Sequence, residues 1–259
     1  MNNTPHIEVR GLEVAYGTFV VLRDVSFRVR RGEVFVIMGG SGCGKSSVLR
    51  HIIGLKATTK GEILINGRNC GTASPEASTA QTSKFGVLFQ AGGLWSSMTL
   101  AENVALPLEQ STALSPQEVA ELVRLKLAWV GLKGFEDFYP AELSGGMVKR
   151  AGLARAMALD PEILFFDEPS GGLDPVTARR LDELILQLRD SLGTTIVMVT
   201  HDLASIFAVA DNAIFLNAQT RTLTAWGRPR QLLKEAEDPA VREFLSRGEA
   251  ASVAAGAAT

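Results

Sequence analysis

Five consecutive apolar residues, Val34-Phe35-Val36-Ile37-Met38, run directly into Gly39-Gly40-Ser41-Gly42-Cys43-Gly44-Lys45-Ser46, and nothing else in the chain constrains its fold so tightly. An uninterrupted apolar run of this length fits a strand buried on both faces, and so a mostly parallel sheet flanked by helices. The glycines break the strand, and a helix is predicted from Lys45 to Gly54. The spacing satisfies G-x-x-x-x-G-K-[ST] at every fixed position, and it does so between a strand and a helix, the context the pattern requires. Glycines let successive backbone N–H groups curl around phosphate oxygens, while the helix offers them its positive end. Lys45 can then reach the β- and γ-phosphates, and the Ser46 hydroxyl can ligate Mg²⁺. A dinucleotide fingerprint is excluded, because a G-x-G-x-x-G begun at Gly40 needs glycine where Lys45 stands. A glycine-rich turn without a ligand is the weaker alternative. The candidate nucleotide-binding residues here are Gly39, Gly40, Ser41, Gly42, Cys43, Gly44, Lys45, Ser46 and Ser47. Loop amides can activate a thiol, but Cys43 reads better as a small residue that fits the loop.

The rest of the chain suits an α/β protein built on that unit. Ile7, Val9, Leu12, Val14, Val20, Leu22, Val25, Phe27 and Val29 alternate with polar residues, as in antiparallel half-buried strands. Ser115-Pro116-Gln117-Glu118 opens a helix with Val119, Leu122, Val123, Leu127 and Val130 on one face and Gly131 as its stop. A second helix is predicted from near Ser144 to before Asp160-Pro161. Ile163 to Phe166 and Thr195 to Val199 read as buried strands. Between them Asp174-Pro175 starts a helix with Leu181, Leu184, Ile185, Leu188 and Leu192 on its inner face. Further strands are expected at Ala213 to Leu216 and Thr222 to Trp226, a short helix at Pro239 to Ser246, and disorder over Ala250 to Thr259. The expected organisation is one domain over 1–236, with a helical insertion at 91–159, and a C-terminal extension at 237–259.

Charge and hydropathy narrow the class. With 26 basic and 28 acidic residues the chain is near neutral, which argues against coating nucleic acid. Its longest uncharged run, Phe85 to Ala101, is too polar to span a bilayer. The N-terminal residues lack the regions of a signal peptide, and two cysteines make neither a disulfide framework nor a zinc site. These features predict a soluble cytosolic protein.

Two more clusters carry chemistry. The strand Ile163 to Phe166 ends in Asp167-Glu168: one carboxylate beside a phosphate loop can hold Mg²⁺, and a second can polarise an attacking water. Leu143-Ser144-Gly145-Gly146-Met147 places a hydroxyl and two glycines at a positive helix end, a second anion-binding design. The first loop already serves this chain's nucleotide, so the second is best explained as serving that of another copy.

Tyr16, the phosphate loop, Gln90, Leu143 to Met147, Asp167-Glu168, Gly171-Gly172-Leu173-Asp174 and His201 stand in the order of the ATP-binding cassette (ABC) ATPases, which the chain resembles to about residue 248. The resemblance implies a P-loop NTPase core with an N-terminal antiparallel β subdomain and an inserted α-helical subdomain. It implies ATP hydrolysis with Mg²⁺ as cofactor. Tyr16 would stack on adenine, and Gln90 would sense Mg²⁺ and water. Glu168 would act as general base, with Lys45 and His201 as its catalytic companions, and Ser46, Gln90 and Asp167 would lie at the metal. Ser144, Gly145 and Gly146 would hold the γ-phosphate of the opposite protomer in a head-to-tail dimer, and Asp174 would be a further nucleotide-binding residue. Met147 stands where the family usually has Gln, and Gly171-Gly172 where it usually has Ser-Ala. The phosphate-contacting atoms are retained.

Phe85 to Gln90, Phe138 to Met147, Lys149-Arg150-Ala151 and Asp238 to Leu245 resemble the ATPases of Mla-type lipid transporters more narrowly. That resemblance implies phospholipid movement between inner and outer membranes, with the chain at the cytoplasmic face of the inner membrane. It also implies separate membrane subunits docking near Leu94, Trp95 and Met98, an MCE-domain lipid-binding partner, and an extension that reaches across the dimer. For Trp95, packing beneath the helices is the competing expectation. For the tail it is a short helix on its own domain. Another ABC importer or exporter, or a mechanically signalling ABC ATPase as in cell division, are the alternative functions.

Overall fold

The structure is a computed structural model that describes residues 4–70 and 85–256. Its centre is a six-stranded sheet in the order β10-β9-β3-β8-β7-β6. The strands are β3 (Val34–Gly39), β6 (Phe85–Leu88), β7 (Ile163–Asp167), β8 (Thr195–Val199), β9 (Asn212–Asn217) and β10 (Thr222–Gly227). From β9 to β6 every pairing is parallel, and β10 alone runs antiparallel at one edge. The strand predicted from Val34 is one of the two central strands and is buried along its whole length. A smaller antiparallel sheet, β2-β1-β4-β5, is formed by β1 (Ile7–Tyr16), β2 (Phe19–Val29), β4 (Glu62–Ile65) and β5 (Arg68–Asn69).

The period-two alternation of the central strands divides the core in two. Phe35, Ile37, Phe165, Val197, Val199, Ile214 and Leu216 face the small sheet and the helix α1 (Lys45–Ile52). Val34, Val36, Met38, Leu164, Phe166, Ile196 and Met198 face the remaining helices. Three of these lie between β6 and β7: α2 (Leu100–Ser111), α3 (Pro116–Trp129) and α4 (Gly145–Ala156). The others are α5 (Pro175–Leu192), α6 (Leu203–Val209), α7 (Pro229–Glu235) and α8 (Pro239–Gly256). His6 Nδ1 pairs with Thr195 Oγ1 at 2.6 Å, tying the N-terminal segment to β8, and His51 Nδ1 bonds back to the Ser47 carbonyl at 2.7 Å within α1.

Three expectations are corrected. Leu192 is 42% exposed. It lies on the same helical face as Leu181 but about 16 Å further along the axis, past the cover of the sheet. Helix α1 ends at Ile52, where Gly54 takes a left-handed φ of 78°. Helix α8 runs to Gly256, past the Ser246 expected as its end, and residues 257–259 lie outside the described chain. Its first turns pack on their own domain: Val241 and Leu245 are fully buried, and Phe244 meets Phe215 edge-on at 5.4 Å.

One buried acid gives a stability prediction. Asp182 on α5 is 4% exposed; its Oδ2 accepts from Ser205 on α6 at 2.8 Å, and its Oδ1 has no partner among the described residues. Burial pushes its carboxyl up to about 6; the Ser205 bond opposes the shift, and the charges of Asp202 and Glu183 add to it. A carboxyl that holds its proton longer when folded costs stability as pH rises from about 4 to about 6, and the cost is constant above that. Asp182→Asn is therefore expected to raise stability at pH 7.5 by about 1 kcal/mol and to flatten the profile between those pH values. Urea midpoints measured at pH 5 and pH 7.5 check this.

Candidate active site

Strand β3 ends against β9 at Gly39, whose φ of 151° and closeness to the Leu216 carbonyl (2.5 Å from where a Cβ would stand) admit only glycine. From there residues 39–44 curl into α1. Lys45 is buried, and its Nζ donates to the Gly39 and Gly40 carbonyls at 3.0 and 2.9 Å, bracing the loop. Ser46 Oγ donates to Asp167 Oδ1 at 2.7 Å, so the phosphate loop and the end of β7 meet at a hydroxyl and a carboxylate. Glu168 follows in a left-handed conformation, φ 52°, with its N–H bonded to the Val199 carbonyl at 2.8 Å. That turn aims its carboxylate at His201 Nδ1, 2.8 Å away. The pairing of β7 with β8, Asp167 opposite Val199, brings His201 to this position.

Gly39, Gly40, Lys45, Ser46, Glu168 and His201 line one cavity of about 660 Å³, together with Tyr16, Gln90, Ser41, Gly42, Gly44 and Ser47; Asp167 is not in the lining and meets it through Ser46. Most residues selected from the sequence are thus brought together. Cys43 lies beneath the loop, 1% exposed, and burial raises its thiol above the ordinary range, the opposite of activation. Ser144, Gly145, Gly146 and Asp174 do not line this cavity. Ser144 caps α4, accepting from the Met147 N–H at 3.4 Å, and stays exposed beside Gly145. Gly146 is pressed against Thr177, whose Cγ2 would stand 2.4 Å from an added Cβ. Asp174 caps α5, accepting from Val176 and Thr177 at 3.1 and 3.0 Å; the Thr177 bonds hold its carboxyl below the usual range.

Sequence reasoning missed two features. Lys149 of α4 is 5% exposed, and its Nζ donates to the Gln90 carbonyl and, at 3.2 Å, to the Glu168 carbonyl. Burial lowers its ammonium's affinity for the proton, and Glu168 and Asp167 partly restore it. The signal was its spacing, three residues from both Gly146 and Gly152, which puts a cation on the packed face of a helix. Phe244 and Arg247 of α8 also line the cavity, which nothing in the phosphate-loop pattern announces.

Leu94, Trp95 and Met98 lie in the loop that precedes α2. Asn103, fully buried, donates to the carbonyls of Trp95, Met98 and Thr99 and accepts from the Trp95 N–H at 2.7 Å, which fixes residues 95–99. Trp95 itself is 56% exposed, so it does not pack beneath the helices, while Leu94 rests on the core. Among the described residues no helix is long and apolar enough to cross a membrane.

Residues 22–171 match the family described as ABC transporter. The chain is 42% identical over 240 residues to the probable ribonucleotide transport ATP-binding protein mkl of Mycobacterium tuberculosis, covering 93% of this chain and 66% of that one. It therefore spans just under two thirds of that relative's length. It is 39% identical over 239 residues to the intermembrane phospholipid transport system ATP-binding protein MlaF of Escherichia coli, covering 92% of this chain and 88% of that one. Among solved structures, the ATP-binding cassette MJ0796, a dimer in a post-hydrolysis state with ADP and Pi, superposes with a TM-score of 0.79. It is 29% identical, covering 86% of this chain and 98% of that one. A phosphate loop, an acid-ended strand and a histidine strand around one cavity, on a fold and sequence shared with such cassettes, lead to one assignment: the chain belongs to the ABC transporter family, as one of its ATP-binding cassettes.

Proposed function

We propose that this cassette is the ATP-hydrolysing, energy-coupling subunit of a system that moves phospholipids between the inner and outer membranes. The observation that carries the reading is the similarity to MlaF, which extends over 88% of that protein. In this reading residues 1–236 are the cassette, 91–159 its helical insertion, and 237–259 an extension. The base of ATP lies against Tyr16 and its phosphates in the loop Gly39 to Ser47. Lys45 exchanges the Gly39 and Gly40 carbonyls for β- and γ-phosphate oxygens.

The donor set fits Mg²⁺: the Ser46 hydroxyl and Asp167 carboxylate meet at 2.7 Å, and Gln90 lines the same cavity, all hard oxygen donors. Bound there, the ion would neutralise charge on the phosphate oxygens. Glu168 accepts a proton from the water whose oxygen attacks the γ-phosphorus. The bond to the β-phosphate oxygen breaks, and its electron pair leaves with ADP, so that inorganic phosphate remains. His201 fixes the Glu168 carboxylate and faces the γ-phosphate.

Ser144, Gly145, Gly146 and Asp174 serve the nucleotide of a second copy, which is why they lie outside this chain's own cavity. Ser144→Ala is expected to reduce ATPase activity of the assembled complex by about tenfold, with ATP binding to the isolated chain nearly unchanged. Titration of the isolated chain decides it: a comparable loss of binding there removes the trans-protomer role.

Membrane subunits dock around Leu94, Trp95 and Met98 and hold the chain at the cytoplasmic face of the inner membrane, in a complex with an MCE-domain lipid-binding protein. Mass spectrometry of the native complex tests this directly. Membrane subunits with bound phospholipid support it. A ribonucleotide cargo favours instead the function in the name of mkl, the second reading that the 42% identity supports.

A further inference from the structure

Tyr16 is gripped from two sides. Its hydroxyl meets Ser47 Oγ at 2.7 Å, and the Lys56 Nζ sits 3.3 Å from the centre of its ring. The ammonium occupies one ring face only. The opposite face is clear of the ammonium, and Tyr16 lines the cavity while Lys56 does not. Local structure delivers the lysine there. Gly54, left-handed, turns the chain at the end of α1, and the Lys56 N–H donates to the Arg50 carbonyl at 3.1 Å. A cation in this position also benefits from the negative end of the helix. One short helix therefore meets the phosphates with its first turn and, through Ser47 and Lys56, sets the aromatic ring with both ends.

We propose that Lys56 is a positioning residue for the nucleotide base, holding and polarising Tyr16 from behind so that its cavity face stacks on a purine ring. An ammonium over one face of an aromatic draws π density toward itself. The other face becomes less electron-rich and more complementary to the electron-rich adenine. The same contacts, Ser47 first and then Lys56, hold the Tyr16 phenol below its ordinary range. The proposal rests on the nucleotide-site reading above, and the two fail in different ways.

The test compares ATP with inorganic tripolyphosphate, which carries the charge and lacks the base, by calorimetric titration of the full chain. Lys56→Met keeps the alkyl stem and is expected to weaken ATP by about three- to tenfold, with tripolyphosphate unchanged and Lys56→Arg restoring ATP affinity. In a Tyr16→Leu background the same substitution is expected to have no further effect on ATP. Equal weakening of both ligands would mean that Lys56 acts on phosphate charge, and an undiminished ATP affinity that it does nothing; either overturns the proposal. If Tyr16→Leu leaves ATP affinity intact while Lys45→Ala abolishes it, the base lies elsewhere and the proposal falls with the phosphate site standing. If neither matters, the nucleotide site itself has been misread.

Discussion

Glu168→Gln is expected to lower ATP turnover by at least about 100-fold while ATP affinity changes by no more than about twofold. The amide keeps the shape of the side chain and still bonds to His201, whose Nδ1 lies 2.8 Å from the carboxylate. It cannot accept the proton of the attacking water. The backbone at this position, with φ 52° on a residue that carries a Cβ, is already committed to aiming the side chain into the cavity. The variant should therefore load ATP and accumulate as a nucleotide-bound dimer. Single-turnover phosphate release and size exclusion with ATP measure the two halves separately. Hydrolysis at the rate of the unaltered chain removes Glu168 as the base.

Gly86→Val is expected to be strongly destabilising. A Cβ on Gly86 would stand 2.0 Å from the Ala156 carbonyl oxygen and 2.6 Å from Leu164 Cδ2. The first obstacle is backbone at the end of α4, which cannot swing aside as a side chain can. Overpacking a core commonly costs about 1–3 kcal/mol where side chains yield. Here the strand or the helix must move, so about 4 kcal/mol or more is expected, a large part of the 5–15 kcal/mol that typically holds a domain folded. Chemical unfolding of the variant beside a conservative surface substitution gives the number. A loss below about 1 kcal/mol would mean that β6 and α4 are less tightly seated than their geometry indicates.

Most of this site could be read from the sequence because its parts are short, local and chemically marked. The loop from Gly39 to Ser46 states its own conformation. The acids after Phe166 come at the end of an apolar run that reads as a core strand, and it lies one strand away from β3, across β8. Helix α3 was equally visible, since Ser115 and Glu118 form the capping box that their spacing implies, with the Glu118 carboxylate 2.7 Å from the Ser115 N–H. Helix α2 carries the same signal in Thr99 and Glu102, yet Pro107 inside it and the glycines before it obscure the helical pattern. Contacts across distant parts of the chain left no such mark. Lys149 reaches carbonyls 59 and 19 residues away, and Arg247 arrives at the cavity only because Val241, Phe244 and Leu245 pack α8 onto its own domain. Periodicity reports which face of an element is covered, not what covers it.

Lys149 also has a thermodynamic consequence. One ammonium ties the backbone beside Gln90 to the backbone of Glu168, from a helix whose other neighbours include the surface around Trp95. If occupancy of that surface turns α4 and changes the grip on ATP, then ATP must change the grip on the occupant by the same factor, because the cycle of the two binding steps closes. Affinity for that occupant is then not a single constant of this protein. It has one value without ATP and another with it, and the logarithm of their ratio, times RT, is the work the nucleotide can deliver.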